Sequence, residues 1–189
     1  MNRRELLGAA AALAVLTGAS PRRTYLKAHR VYTRELVLYR DFRTALLLRA
    51  TLLEPAFRAT LAAERRRLVA PSDENHAAFV ARMAEDGAKY TEVVFAADSS
   101  YDNADRFGPG DDRWNLRLIA DGVEQELLAV ERVREPSPLH EALYVQADIW
   151  GELWIARFGR TVAAPDSVEL IVGSGYGNGS VRWDHLHAP

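Results

Sequence analysis

The apolar residues of this chain change period near residue 90. Up to Met83 they recur at spacings of three, four and seven, the period of a helical face. After Gly87 they alternate, the period of a half-buried strand. A chain that makes this switch and does not switch back is held to an α+β layout, with helices and strands segregated along the sequence. Charge changes at the same place. Residues 21–90 hold 14 Lys/Arg and 8 Asp/Glu, a net of +6, whereas residues 91–189 hold 8 and 17, a net of −9. Period and charge together predict two units, a helical segment over 22–90 and a β-sandwich over 91–189.

In the first unit Tyr25, Tyr32, Leu36, Tyr39, Leu46 and Leu53 follow helical spacing. No glycine or proline falls within 24–54, so that stretch reads as one long helix. Arg23, Lys27, Arg30 and Arg34 recur on its opposite face. Such a basic face suits an anionic membrane surface. It equally suits a solvated helix lying near the acidic half of its own chain. Pro55 breaks the helix and starts a second, from Pro55 to Leu68. Ser72 caps a third that runs to Asp86, with Gly87 as its stop. The unit is therefore expected to be a helical hairpin or three-helix segment.

The second unit reads as short strands. They are Thr91–Asp98, Trp114–Ala120, Glu124–Val133, a bent pair flanking Gly151 (Leu143–Trp150 and Leu153–Phe158), Val168–Val172 and a last strand through Trp183, with no helix between them. Asp121-Gly122 is a hairpin signal, and Gly173–Gly179 a glycine-rich turn. Strands so spaced predict an antiparallel sandwich of the immunoglobulin-like type. Trp114, Trp150, Trp154 and Trp183 are expected in or beside its core.

The N-terminus carries an address. Arg3 and Arg4 precede an apolar run, Gly8–Leu16, and the small residues Thr17-Gly18-Ala19. This is the layout of an export signal removed near Ser20. The run Asn2-Arg3-Arg4-Glu5-Leu6-Leu7 resembles the twin-arginine signal family. It departs from that pattern at Asn2, usually Ser or Thr, and at Gly8, where Lys is often found. The resemblance implies a bacterial protein of the periplasm or one that is secreted. The chain has no cysteine, which excludes a thiolate nucleophile, a thiolate metal site and a disulfide framework. It also removes the attachment point for a lipid anchor. Residues 1–19 are expected to be cleaved, leaving a free mature chain. The helical hairpin followed by strands, with Trp114-x-Leu-x-Leu118 and Trp150-x-x-x-Trp154-Ile155-x-Arg157-Phe158, resembles exported proteins and lipoproteins of Gram-negative bacteria. That likeness implies architecture and compartment, and no catalytic residue comes with it.

Few residues point to chemistry. Asp98, Asp102, Asp105, Asp111 and Asp112 place carboxylates within fifteen residues, a composition that suits calcium although it lacks EF-hand order. The same residues serve as turn formers. Asp184, His185 and His187 form a second, sparser set of metal-ligand types. The glycine-rich 173–180 stretch lacks the Gly-Lys-Ser/Thr ending of a phosphate loop, and no Gly-x-Ser-x-Gly elbow occurs. No cofactor other than calcium is expected. The reading that follows is a non-catalytic interaction or assembly component of the envelope, partnered by another envelope protein. The alternatives are a ligand-binding protein or enzyme with its site in the 98–113 and 173–180 loops, and a peripheral binder of anionic membrane through the basic helix. An exported chain has no expected nucleic-acid partner.

Overall fold

The computed structural model describes residues 20–101, 107–108, 113–144, 146 and 152–186. Among these the fold is α+β, with four helices and nine strands in two antiparallel sheets.

Helix α1 (Pro21–Tyr32) starts on Ser20, whose hydroxyl accepts from the Arg23 amide, with Pro21 in the first turn. It does not continue to residue 54. The chain becomes extended at Thr33 and forms the hairpin β1 (Thr33–Arg40) and β2 (Arg43–Leu52). The expectation of one helix over 24–54 is therefore corrected. The carbonyls that a longer helix would use are taken by side-chain donors, one of them from the far end of the chain. Trp183 Nε1 donates to Tyr32 O at 2.8 Å, and Arg34 Nη1 donates to Val31 O and Thr33 O. The leucines of β2 misled the spacing argument because Leu46, Leu47 and Leu48 fill successive positions, with Leu47 half-buried on the face opposite the other two. Within the strand Leu46, Leu48, Ala50 and Leu52 point to one core, and Leu53, just past its end, belongs to another.

Helix α2 (Pro55–Val69) ends at Ala70, in left-handed geometry at φ 44°, with the Ala70 amide donating to Arg66 O. Helix α3 (Asp73–Lys89) is capped by Ser72 and carries Asp73 and Glu74 in its first turn. It runs through Gly87 to Lys89, so Gly87 is not a stop. A Cβ there would lie 3.1 Å from Arg58 Nε, and the glycine serves close approach of α3 to α2.

The strands that follow are β3 (Tyr90–Asp98), β4 (Asn115–Ala120), β5 (Val123–Gln125), β6 (Leu127–Arg132), β7 (Glu152–Gly159), β8 (Val168–Ser174) and β9 (Gly177–Trp183). Between β6 and β7 sits a short helix, α4 (Pro138–Leu143). No helix was expected there, and Leu143 was expected in a strand. Its start was legible in Ser137-Pro138, for Ser137 and His140 make a reciprocal capping box.

One sheet has the order β1-β2-β3-β7-β6 and the other β5-β4-β8-β9. The first two strands thus belong to the same sheet as β3 and β7, with β2 paired to β3 from Leu47↔Asp98 to Leu52↔Val93. The sheets meet along β1 and β9, where Arg34 Nε donates to Arg182 O. Gly179 allows that approach, since a Cβ would come within 2.9 Å of Leu36 and Leu38.

Alternation along each strand builds two cores. Between the sheets lie Leu48 and Leu52 of β2, Val93 and Phe95 of β3, Trp154 and Phe158 of β7, Leu118 of β4, Leu170 of β8 and Trp183 of β9. On the outer face of the five-stranded sheet, Val94 and Leu153 meet Tyr25 and Tyr32 of α1, Phe57 and Leu61 of α2, and Leu143 of α4. Each such side chain contributes about 1.5–3 kcal/mol by leaving water. Trp114, Trp154 and Trp183 are buried as expected, and Trp150 lies outside the described residues.

The β1–β2 turn is unusual. Asp41 and Phe42 both have positive φ, 50° and 62°, and the Phe42 side chain is fully exposed. Glycine meets this geometry without a Cβ clash. Phe42→Gly is expected to raise stability by up to about 1 kcal/mol, read as a higher midpoint in urea unfolding.

Candidate ligand-binding groove

The helical layer is joined to the five-stranded sheet through buried charge. Glu92 of β3 and Arg58 of α2 are each less than a tenth exposed. Arg58 Nη2 donates to Glu92 Oε2 at 2.6 Å, and Arg58 Nε donates to Leu53 O at 2.7 Å. The second Glu92 oxygen accepts from Arg157 Nε of β7 at 2.9 Å, and Arg157 Nη1 reaches Glu131 of β6. Nearby, Arg160 Nη2 donates to Glu54 Oε1 at 2.6 Å, both side chains being 5% exposed or less. Glu64 of α2 accepts from Arg67 and from Arg22 of α1. Those bonds, Arg67's foremost, hold its carboxyl below the usual carboxylate range.

The chemistry of these groups is mutual. Both Glu92 oxygens are bound by guanidinium, so neither is poised to take a proton from a substrate. His29 is also committed. Its Nε2 lies 2.7 Å from Gln146 Oε1 and its Nδ1 3.3 Å from Thr33 Oγ1, which fits a neutral ring donating to the amide and accepting from the hydroxyl. Burial is the main cause holding its pKa below 6.5.

Helix α3 lies over this layer with grooves on both sides. Gly87 is its one fully buried residue. On one side α2, α3 and the segment after β7 enclose a groove of about 720 Å³. Its walls are Ala59, Ala62 and Ala63 of α2 against Val80, Met83 and Ala84 of α3. Arg58 and Arg160 form part of the lining, and His76 lies near the start of α3. Two polar atoms on these side chains have no hydrogen-bond partner, Arg160 Nε and His76 Nδ1. On the other side a smaller space of about 480 Å³ is lined by Arg65, Phe79, Arg82, Glu92, His140 and Tyr144, among others. There Arg65 lies over the Phe79 ring at 4.3 Å.

The residues singled out in the sequence lie elsewhere. Asp98 is exposed at the end of β3, and Asp102, Asp105, Asp111 and Asp112 lie outside the described residues. Among the described residues no three His, Asp or Glu side chains come together as metal ligands. His185 approaches Asp166 at 3.9 Å, Asp184 pairs with Arg182, and His187 is outside the described residues. Arg23, Lys27 and Arg30 are exposed on α1 and, with Leu26 and Val31, border a shallow concavity. Arg34 does not extend that helical stripe, because α1 ends two residues before it. The 98–101 and 174–176 stretches do meet. Tyr101 stacks on Tyr176 at 4.8 Å, and Arg40 Nη1 donates to Gly175 O at 2.6 Å.

The α2–α3 groove was missed because alanines on two helices carry no motif. Only the angle between the helices makes a cavity of them. No helix among the described residues is long and apolar enough to cross a membrane. No protein-family model matches the chain, and no curated protein is detectably similar to it in sequence.

Two measurements check this layer. Glu92→Gln leaves Arg58 buried without its counter-charge and is expected to cost about 3 kcal/mol. Exchanging both partners, as in Arg58→Met with Glu92→Leu, recovers most of that loss in urea titration, since Arg157 keeps Glu131 and partial access to water. The His29 effect has a defined sign. Its folded pKa lies below its unfolded value, so the unfolded chain binds the extra proton first. The stability held above pH 6.5 is lost as pH falls below that value. His29→Gln is expected to flatten the slope of unfolding free energy against pH between about 7 and 5.

Proposed function

We propose that this protein is a non-catalytic binding protein of the bacterial envelope, and that the groove between α2 and α3 holds its ligand. The N-terminal arginines, apolar run and small residues support the compartment. The groove carries the binding reading. Its volume falls in the range of small-molecule sites, and its lining is mainly apolar with a few polar groups, the composition such sites share. The binding reading is favoured over a catalytic one because the described lining of the groove holds no carboxylate, and its two arginines, Arg58 and Arg160, are held in ion pairs with Glu92 and Glu54.

The test is titration of the mature chain with Nile red, a probe that brightens in apolar surroundings. Saturable binding is expected. Ala63 is exposed on the groove wall, so Ala63→Trp fills the space without disturbing the core. That variant is expected to unfold at the wild-type urea concentration and to bind the dye at least about tenfold more weakly. Equal dye affinity in the two proteins overturns the assignment of the groove.

A further inference from the structure

We infer that the space on the other flank of α3 is a second binding site, and that it takes a small organic oxyanion, a carboxylate or phosphate head at Arg65 and Arg82 carried on an apolar body. The site lies across α3 from the apolar trough between α2 and α3, and the inference stands whether or not that trough is occupied. Three observations carry it. The first is charge without counter-charge. Of the four arginines of α2, Arg58, Arg66 and Arg67 are held in ion pairs with Glu92, Asp73 and Glu64. Arg65 is in no ion pair among the described residues, and its guanidinium sits 4.3 Å from the centre of the Phe79 ring. Arg82, the one arginine of α3, is likewise in none among the described residues and lies 5.7 Å from the same centre. Those distances put two like charges no farther apart than about one screening length, ~10 Å at moderate salt. The ring holds both heads by cation–π contact and fills none of their N–H donors.

The second is a further donor, from α4. His140 Nδ1 accepts from the Ser137 amide at 3.1 Å in the capping box of that helix, so the neutral ring carries its proton on Nε2. Nε2 has no hydrogen-bond partner among the described residues, and His140 borders the same space. Tyr144, stacked with the His140 ring, borders it too. Burial pushes the Tyr144 phenol up to about 12, so its hydroxyl keeps its proton. Donors from three helices therefore face one space. The third observation is what lies among them. Leu53, Leu61, Val94 and Ile155 supply an aliphatic floor to a volume of about 480 Å³. Of the two carboxylates in the lining, Glu92 has both oxygens filled by Arg58 and Arg157, and Asp86 lies one turn beyond Arg82. The three arginines of the lining thus outnumber its carboxylates by one. An apolar floor with a few converging polar groups is the composition of a small-molecule site. Here those groups are donors backed by positive charge, and the fork of a guanidinium matches the paired oxygens of a carboxylate or phosphate.

The experiment is fluorescence titration of the mature chain with anilinonaphthalene sulfonate beside phenylnaphthylamine, the same ring system without the charged head. The anion is expected to bind saturably and at least about tenfold more tightly than the neutral compound. Arg82 is exposed, so Arg82→Gln leaves the fold in place. It is expected to weaken the anion at least about tenfold and to leave the neutral compound unchanged. Arg65→Gln is expected to do the same. Arg66→Gln removes an equal charge beside Arg65 but outside the lining, and is expected to change neither affinity. Ala63→Trp, which fills the trough, is expected to leave the anion bound as in the wild type. Naphthoate and naphthyl phosphate then compete for the site, and the tighter competitor names the head group it takes. Equal binding of the charged and neutral compounds by the wild type overturns the inference, whatever the variants do. So does an equal loss in Arg66→Gln and Arg82→Gln, which assigns the effect to overall charge. Anion binding that is lost in Ala63→Trp and kept in Arg82→Gln places the anion in the trough and overturns it as well. Displacement by neither competitor is the fourth outcome that does so.

Discussion

Glu92 accepts from two arginines that belong to different layers of the molecule. Arg58 comes from the helical layer and Arg157 from the neighbouring strand of the sheet. Removing water from a carboxylate costs several kcal/mol, and this site offsets it by filling both oxygens with charge-assisted donors. Much else is arranged around that bond. Arg58 must lie flat beneath α3, which requires Gly87 above it, and its Nε takes the Leu53 carbonyl at the turn from strand to helix. The position of α2 on the sheet, and so the shape of the trough beside it, follows from one ionic joint.

The same joint explains how an arginine-rich helical layer coexists with an apolar trough. Arginine side chains at α2 and after β7 are turned toward carboxylates rather than toward the open space. What remains facing the trough is mostly methyl groups. The opposite net charges of the two halves of the sequence are not matched pair by pair. Arg58–Glu92 joins a base of the first half to an acid of the second, Arg160–Glu54 runs the other way, and Arg117–Glu124 and Arg157–Glu131 pair within the second half.

Of the strands after residue 90, β4, β7 and β8 bury one face more than the other and were legible by it, whereas β3 is buried on both and is legible in its β-branched run. Leu116, Leu118 and Ala120 alternate with exposed or half-exposed neighbours, and a period of two survives in the sequence. The stretch 33–52 was not legible for a related reason. Its second strand sends Leu46, Leu48 and Leu52 into the inter-sheet core while Leu47 half-buries on the other face. Leu53, past its end, joins the second core, so leucines fill successive positions and imitate a helix. Its turn uses Asp41-Phe42 in place of a glycine, which removed the usual punctuation. The basic stripe was misread in consequence, since Arg34 leaves the helix with its strand. The buried pair was hidden for another reason. Glu92 in a strand and Arg58 in a helix look like ordinary surface charges until both are placed. The trough depends on a helix crossing that no local pattern encodes.

Helix α3 is tied down thinly for its length of 17 residues, with one fully buried position and an open space along each flank. A segment that buries so little apolar surface separates from the body at a fraction of the global unfolding free energy. Its amide hydrogens would then exchange with solvent faster than those of β3 and β7, which lie at the centre of their sheet. Transient opening of α3 would leave the two-sheet core intact. An occupant of the trough could enter and leave by that motion alone.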